Sequence, residues 1–173
     1  EKVEDRVAAA ESIGLKALVM DVESYATQAA FELIQQQLPN QGKDQISAIV
    51  DVGATMMHMT MLKNGEQLYF REQAFAGYQL TQEIQRRYNL SYEEAEAAKR
   101  AGTLEAGYED EVLRPYMDNL AIEVARGIQF FLSSTQYHQV DHIILAGGAS
   151  VIQGLDEIIA GRTQISTMLA NPF

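Results

Sequence analysis

Two short segments hold the residues whose types and spacing could do chemistry. The first is Asp51-Val52-Gly53-Ala54-Thr55, which ends the β-rich run beginning at Ile46 and sets a carboxylate directly before three small residues. Small residues let main-chain N–H groups approach a phosphate, and a carboxylate at a strand end can hold the Mg²⁺ that bridges phosphate oxygens. The second is Leu145-Ala146-Gly147-Gly148-Ala149-Ser150, again a β-run followed by glycine and then a helix predicted over Ile152–Ala160. Its N–H groups would lie near a positive helix end, suited to a phosphate or ribose. Taken singly, each has an ordinary reading as a strand-end turn. Together, at strand ends of one sheet, they predict a shared cleft.

The elements that position these loops follow from pattern. Asn64-Gly65 supplies two residues tolerant of positive φ, as a type I′ hairpin requires. Three antiparallel strands are therefore predicted at 46–52, 55–62 and 66–75, which makes the Gly53 loop a bend between neighbouring strands rather than a strand-to-helix phosphate loop. Met57, Met59 and Met61 alternate onto one face and read as sheet core. A helix is expected over Gly77–Tyr88, and Ser91 with Glu94 makes a capping box for the next one. Leu113, Met117, Leu120, Val124, Ile128 and Phe131 mark a long helix with Pro115 in its first turns. Residues 141–148, DHIILAGG, read as a strand running into the diglycine, and Gln164–Leu169 as a last strand.

Ahead of this block, a helix ending near Gly14 precedes residues 15–23, LKALVMDVE, which read as a buried strand. Ser24 is placed to cap a helix running to about Leu38, and Pro39–Asp44 is a turn-rich linker. The first residues already lie inside a helical pattern with no N-cap before it, so the sequence reads as an internal fragment. The order of elements is that of an α/β, ribonuclease H-like lobe.

Composition narrows the partners. Thirteen Lys and Arg against 24 Asp and Glu give a formal charge of −11, which opposes binding to nucleic acid. With no cysteine there are no disulfides, thiolate metal sites or thiol nucleophiles. His138 and His142 straddle a helix end and a strand start, so their spacing of four is not read as a metal site.

The order of elements resembles the actin-like ATPase superfamily that includes Hsp70 chaperones and sugar kinases. More narrowly, DVGATMMHMTMLKNGE, QLTQEIQRRYNLSYEEAEAAKR, GIQFFLSSTQY and VDHIILAGGAS resemble the PilM family of type IV pilus assembly, over nearly the whole chain. The resemblance implies that residues 1–40 are the tail of a truncated first lobe and 41–173 a second lobe with a small inserted subdomain at about 89–112. It makes Asp51, Gly53, Ala54 and Thr55 the second phosphate loop, with Asp51 holding Mg²⁺ through water, and Gly147, Gly148 and Ala149 the adenosine loop. Glu23 falls where the family places a residue facing the attacking water, though it also suits an exposed position before a helix. Glu96 and Lys99 match the region that reaches adenine and ribose, or equally form an ion pair on a wet helix face.

The expected cofactors are thus ATP and Mg²⁺. The expected partners are the cytoplasmic N-terminal tail of the inner-membrane protein PilN and other pilus assembly proteins, at the cytoplasmic face of the inner membrane and with no contact to the bilayer except through a partner. Because the family's first phosphate loop precedes the segments present here, this fragment is expected to bind ATP weakly and to hydrolyse none. The alternatives on the same fold are a filament-forming relative of FtsA and a small-molecule kinase or ATPase.

Overall fold

The structure is a computed structural model, and it describes residues 2–104, 107–171 and 173. Its centre is a five-stranded sheet in the order β3-β2-β1-β4-β5. Strands β1 (Ile46–Val52), β2 (Met57–Lys63) and β3 (Glu66–Gln73) form an antiparallel meander, while β4 (His142–Ala146) and β5 (Ser166–Leu169) extend it in parallel from β1. The β2–β3 turn has Asn64 at φ 51° and Gly65 at φ 80°, the pair of positive values expected from its sequence.

Alternation along the strands divides the core in two. Val50, Val52, Met57, Met59 and Met61 point to the larger side, where they meet Leu80 and Ile84 of α3 (Gly77–Tyr88), Leu120, Val124 and Phe131 of α5 (Arg114–Ser134), and Leu155 and Ile159 of α6 (Leu155–Thr163). Ile49, Leu62 and Ile144 point to the other side, where Phe31 and Ile34 of α2 (Glu23–Gln35) and Leu38 cover them. A period of two therefore sends Asp51, His58 and Thr60 to the α2 side. The methionines are buried, as their alternation predicts.

Three sequence expectations need correction. Residues 15–22 form no strand: they are irregular and mostly exposed, with Leu18 at 80% and Val19 at 85% of full exposure. An apolar run reports preference for burial, but a strand needs a paired neighbour for its N–H and C=O groups, and no described strand lies beside this one. The preceding helix α1 (Lys2–Glu11) likewise buries no residue. Second, α2 starts at Glu23 with Val22 as N-cap, so Ser24 lies within the first turn and caps nothing. Third, α6 begins at Leu155 behind Gly154 at φ 79°, three residues later than the sequence suggests, because residues 149–153 are taken up by turns.

Elsewhere the local signals hold. Ser91 accepts the Glu94 N–H at the start of α4 (Tyr92–Ala101), and Glu94 in turn accepts the Ser91 N–H at 2.8 Å. Pro115 lies at the start of α5, but a π-helical turn over Glu109–Leu113 leads into it. Proline cannot supply the usual intrahelical N–H, and its ring crowds the carbonyl four residues back; the wider turn, in which Arg114 N–H donates to Glu109 C=O, relieves both.

Tyr116, in the first turn of α5, is 3% exposed and stacks on Phe75 at 5.7 Å between ring centroids. Among the described residues nothing accepts or donates at its hydroxyl. Burial, with the nearby Tyr108 second, pushes the phenol up to about 12. A buried hydroxyl without a partner is a cost that phenylalanine avoids. Tyr116→Phe is therefore expected to raise the unfolding free energy by about 1 kcal/mol, read as a shifted urea midpoint at unchanged slope.

Candidate functional site

β1 and β4 run parallel, with Asp51 opposite Ala146, so the chain leaves both strands on the same edge of the sheet. The two glycine loops meet there. A Cβ built on Gly147, at φ 84°, would strike the Asp51 carboxylate and come within 2.5 Å of the Val52 carbonyl oxygen. Only glycine allows this approach with this backbone. Gly148 faces open space, with nothing within 4 Å of such a Cβ.

Each loop is tied down through its carbonyls. Gly53 C=O accepts from Gly77 N–H at 3.0 Å and Ala54 C=O from Tyr78 N–H at 2.7 Å, which fixes the first loop to the start of α3. Val52 C=O accepts from Ala149 N–H at 3.1 Å, and Gly147 C=O accepts the Ser150 hydroxyl at 2.7 Å. Ala54, Thr55, Gly147 and Gly148 remain exposed, and among the described residues no protein acceptor takes the N–H groups of Ala54, Thr55 or Gly148. Main-chain donors are thereby left pointing to solvent, where a phosphate or hydroxyl can use them. The gap between Gly148 and α6 shows that this loop owes little to a helix dipole, contrary to the sequence expectation.

On the α2 side of the same edge lies a cleft of about 240 Å³. Its lining includes the polar residues Glu23, Thr27, Asp51, His58, Thr60 and Glu72. Glu23, Asp51 and His58 each place one ligand atom within 4.8 Å of the others. They arrive from three elements: the first turn of α2, the end of β1 and the start of β2, where Asp51 is paired in register with His58. Burial is the main reason that the Asp51 carboxyl is raised above its ordinary value; the Glu23 charge adds to the rise and His58 opposes it. The donor set of two carboxylates and an imidazole suits a divalent cation, which would relieve the repulsion between Glu23 and Asp51.

The chain matches the model of the type IV pilus assembly protein PilM over residues 1–173. It belongs to the PilM family. Among solved structures it superposes on the PilM-PilN type IV pilus biogenesis complex with a TM-score of 0.80 at 25% identity, covering 98% of this chain and 47% of that one. Two more distant likenesses show the actin-like fold. Ta0583, an archaeal actin homolog, gives 0.66 at 15% identity, over 91% of this chain and 52% of that one. MreB5 of Spiroplasma citri bound to ADP gives 0.66 at 16% identity, over 98% and 60%. The PilM-family chain thus spans about half the length of the structures it matches.

Of the residues singled out in this PilM-family sequence, Asp51, Gly53, Ala54, Thr55, Gly147, Gly148 and Ala149 lie along one sheet edge, and Glu23 joins Asp51 in the cleft. Glu96 and Lys99 lie on α4 and bind each other at 2.5 Å. Both also contact the Thr81 hydroxyl of α3, Lys99 Nζ at 2.7 Å. Burial works against the Glu96 charge, but hydrogen bonds from Lys99 and Thr81 and the charges of Lys99 and Arg100 outweigh it, leaving the carboxyl below its ordinary value. His58 and Glu72 were not singled out. The methionine alternation carried the signal, because a face-down Met57 and Met59 put His58 on the opposite face with Asp51.

Two outcomes follow from this geometry. Gly147→Ala adds left-handed strain and a clash against backbone, and is expected to lower stability by about 2–4 kcal/mol, whereas Gly148→Ala leaves it within about 0.5 kcal/mol in urea unfolding. For Asp51, a carboxyl raised in the folded state binds protons that the unfolded chain has released, so folding loses stability as pH rises above 3.8. Asp51→Asn removes that loss: its midpoint exceeds the wild type near neutrality, and the difference closes below pH 3.8.

Proposed function

We propose that this chain is part of a nucleotide-binding, actin-like scaffold of the type IV pilus inner-membrane assembly complex, one that holds the cytoplasmic N-terminal tail of PilN in an ATP-linked manner. The observation that supports this reading best is the contact of Gly147 with Asp51 and Val52, which sets two exposed N–H-bearing loops side by side next to a carboxylate cleft. The matching structure described as a PilM-PilN complex supports the partner.

In this reading Ala54 and Thr55 offer main-chain donors to the phosphates, with Gly53 holding their bend through its bond to Met56 C=O, and the exposed Gly147 and Gly148 give the adenosine a surface without side chains, backed by the buried Ala149. Asp51 would hold Mg²⁺ through water, and Glu23, beside it in the cleft, would serve to orient a water for attack on the terminal phosphate. Glu96 and Lys99, locked to Thr81, present one acceptor and one donor to the ribose and base edge. Mg²⁺, when bound, neutralises charge on the phosphate oxygens. The donors present fit that ion, since Glu23 and Asp51 come within its reach in one cleft. No helix among the described residues is long and apolar enough to cross a membrane. The place proposed for the chain, the cytoplasmic face of the inner membrane reached through PilN, follows from its PilM family and the PilM-PilN likeness.

Calorimetric titration of the full-length protein with a peptide of the PilN cytoplasmic tail, with and without Mg·ATP, tests the proposal. Asp51→Ala is expected to weaken Mg·ATP by about tenfold or more, equivalent to about 1.4 kcal/mol, and to reduce the gain in peptide affinity that nucleotide confers. Peptide affinity indifferent to Mg·ATP in the wild type removes the ATP link, and failure of both ligands to bind removes the scaffold reading.

A further inference from the structure

His58 has no task in the function proposed above, yet it stands in the same cleft. Its Nε2 lies 3.5 Å from Glu72 Oε1, and its ring stacks on Phe70 at 5.8 Å between centroids. Its side chain is 23% exposed, so the imidazole is held between a carboxylate and an aromatic face rather than swinging in solvent. One ligand atom of His58 is within 4.8 Å of a carboxylate oxygen of both Glu23 and Asp51. Ligands of one ion at about 2.1 Å stand up to about 4.2 Å apart, so small rotations of Glu23, the exposed member, complete the set.

We infer that Glu23, Asp51 and His58 form a protein-ligated site for a first-row transition cation, Mn²⁺ or Zn²⁺, which binds without nucleotide and in preference to Mg²⁺. The chemistry of the donors separates the ions. Mg²⁺ takes oxygen ligands, loses its waters reluctantly and gains little from an imidazole, whereas nitrogen ligation favours the later metals. Glu72 beside the ring is the kind of carboxylate that orients a metal-bound histidine. The volume agrees: about 240 Å³ accommodates an ion and a few waters at about 30 Å³ each, or one phosphate group, and falls below that of an ordinary small-molecule pocket.

The inference rests on the same cleft and shares Asp51 and Glu23 with the proposed nucleotide site, but it concerns an ion held by the side chains themselves and not the Mg²⁺ that arrives with ATP. It is tested with no nucleotide present, so it stands or fails separately from ATP binding. The test is titration of the 173-residue chain with Mn²⁺, followed by the loss of the free-ion resonance signal, and with Zn²⁺ and Mg²⁺ by calorimetry. One equivalent of Mn²⁺ or Zn²⁺ is expected to bind, with Mg²⁺ weaker by about tenfold or more. His58→Ala and the closer mimic His58→Asn should each weaken Zn²⁺ by about tenfold or more, and Glu23→Gln should weaken it from a different element of the fold. His138→Ala, outside the cleft, should leave it unchanged. Circular dichroism confirms that each variant is folded, and the Asn and Gln replacements preserve side-chain volume should the Ala variant unfold. Zn²⁺ affinity that survives loss of His58, falls equally with His138→Ala, or is matched by Mg²⁺ overturns the assignment.

Discussion

The close approach of Gly147 to the end of β1 is the constraint on which the rest of the site depends. β1 and β4 are parallel neighbours, so their chain exits lie together, and any side chain at position 147 would wedge them apart. The bond from Ala149 N–H to Val52 C=O closes the same junction from the other side. With it closed, the exposed donors of both loops share one rim, and Asp51 stands directly beneath it on the α2 face.

The two faces of the sheet carry different work. The larger face is a continuous apolar layer in which Met57, Met59 and Met61 pack under α5, with Gly127 so close to the Met59 thioether that a Cβ there would overlap it. The smaller face is apolar only where Phe31, Ile34 and Leu38 reach it. Beyond their reach the same strands show Asp51, His58 and Thr60, and the cleft opens where α2 turns polar, at Glu23, Ser24 and Thr27. Polar groups are tolerated at a strand end because water reaches them there, and Asp51 is only partly cut off from it.

Most of the meander and the helices after it could be read from the residues. Asn64-Gly65 specifies the turn, and Ser91 with Glu94 specifies the start of α4 by hydrogen bonds that close over three residues. Such signals are local and survive any surroundings. The strand expected at 15–23 was a different kind of inference, since it rested on apolar character, and pairing is a property of two segments. The start of α6 was misplaced because Gly154 can begin a helix without the capping side chain that marks α4. In the cleft, Asp51 announced itself by its glycine neighbours. His58 did not, because its significance lies in a register pairing across a bend rather than in adjacent residues.

The two bonds from the start of α3 to the Gly53 and Ala54 carbonyls have a mechanical consequence. One turn further along, Thr81 grips both Glu96 and Lys99 of α4. Bend, helix and neighbouring helix are therefore joined by one run of hydrogen bonds, so α4 is anchored to the Gly53 bend through α3 as well as through the apolar core.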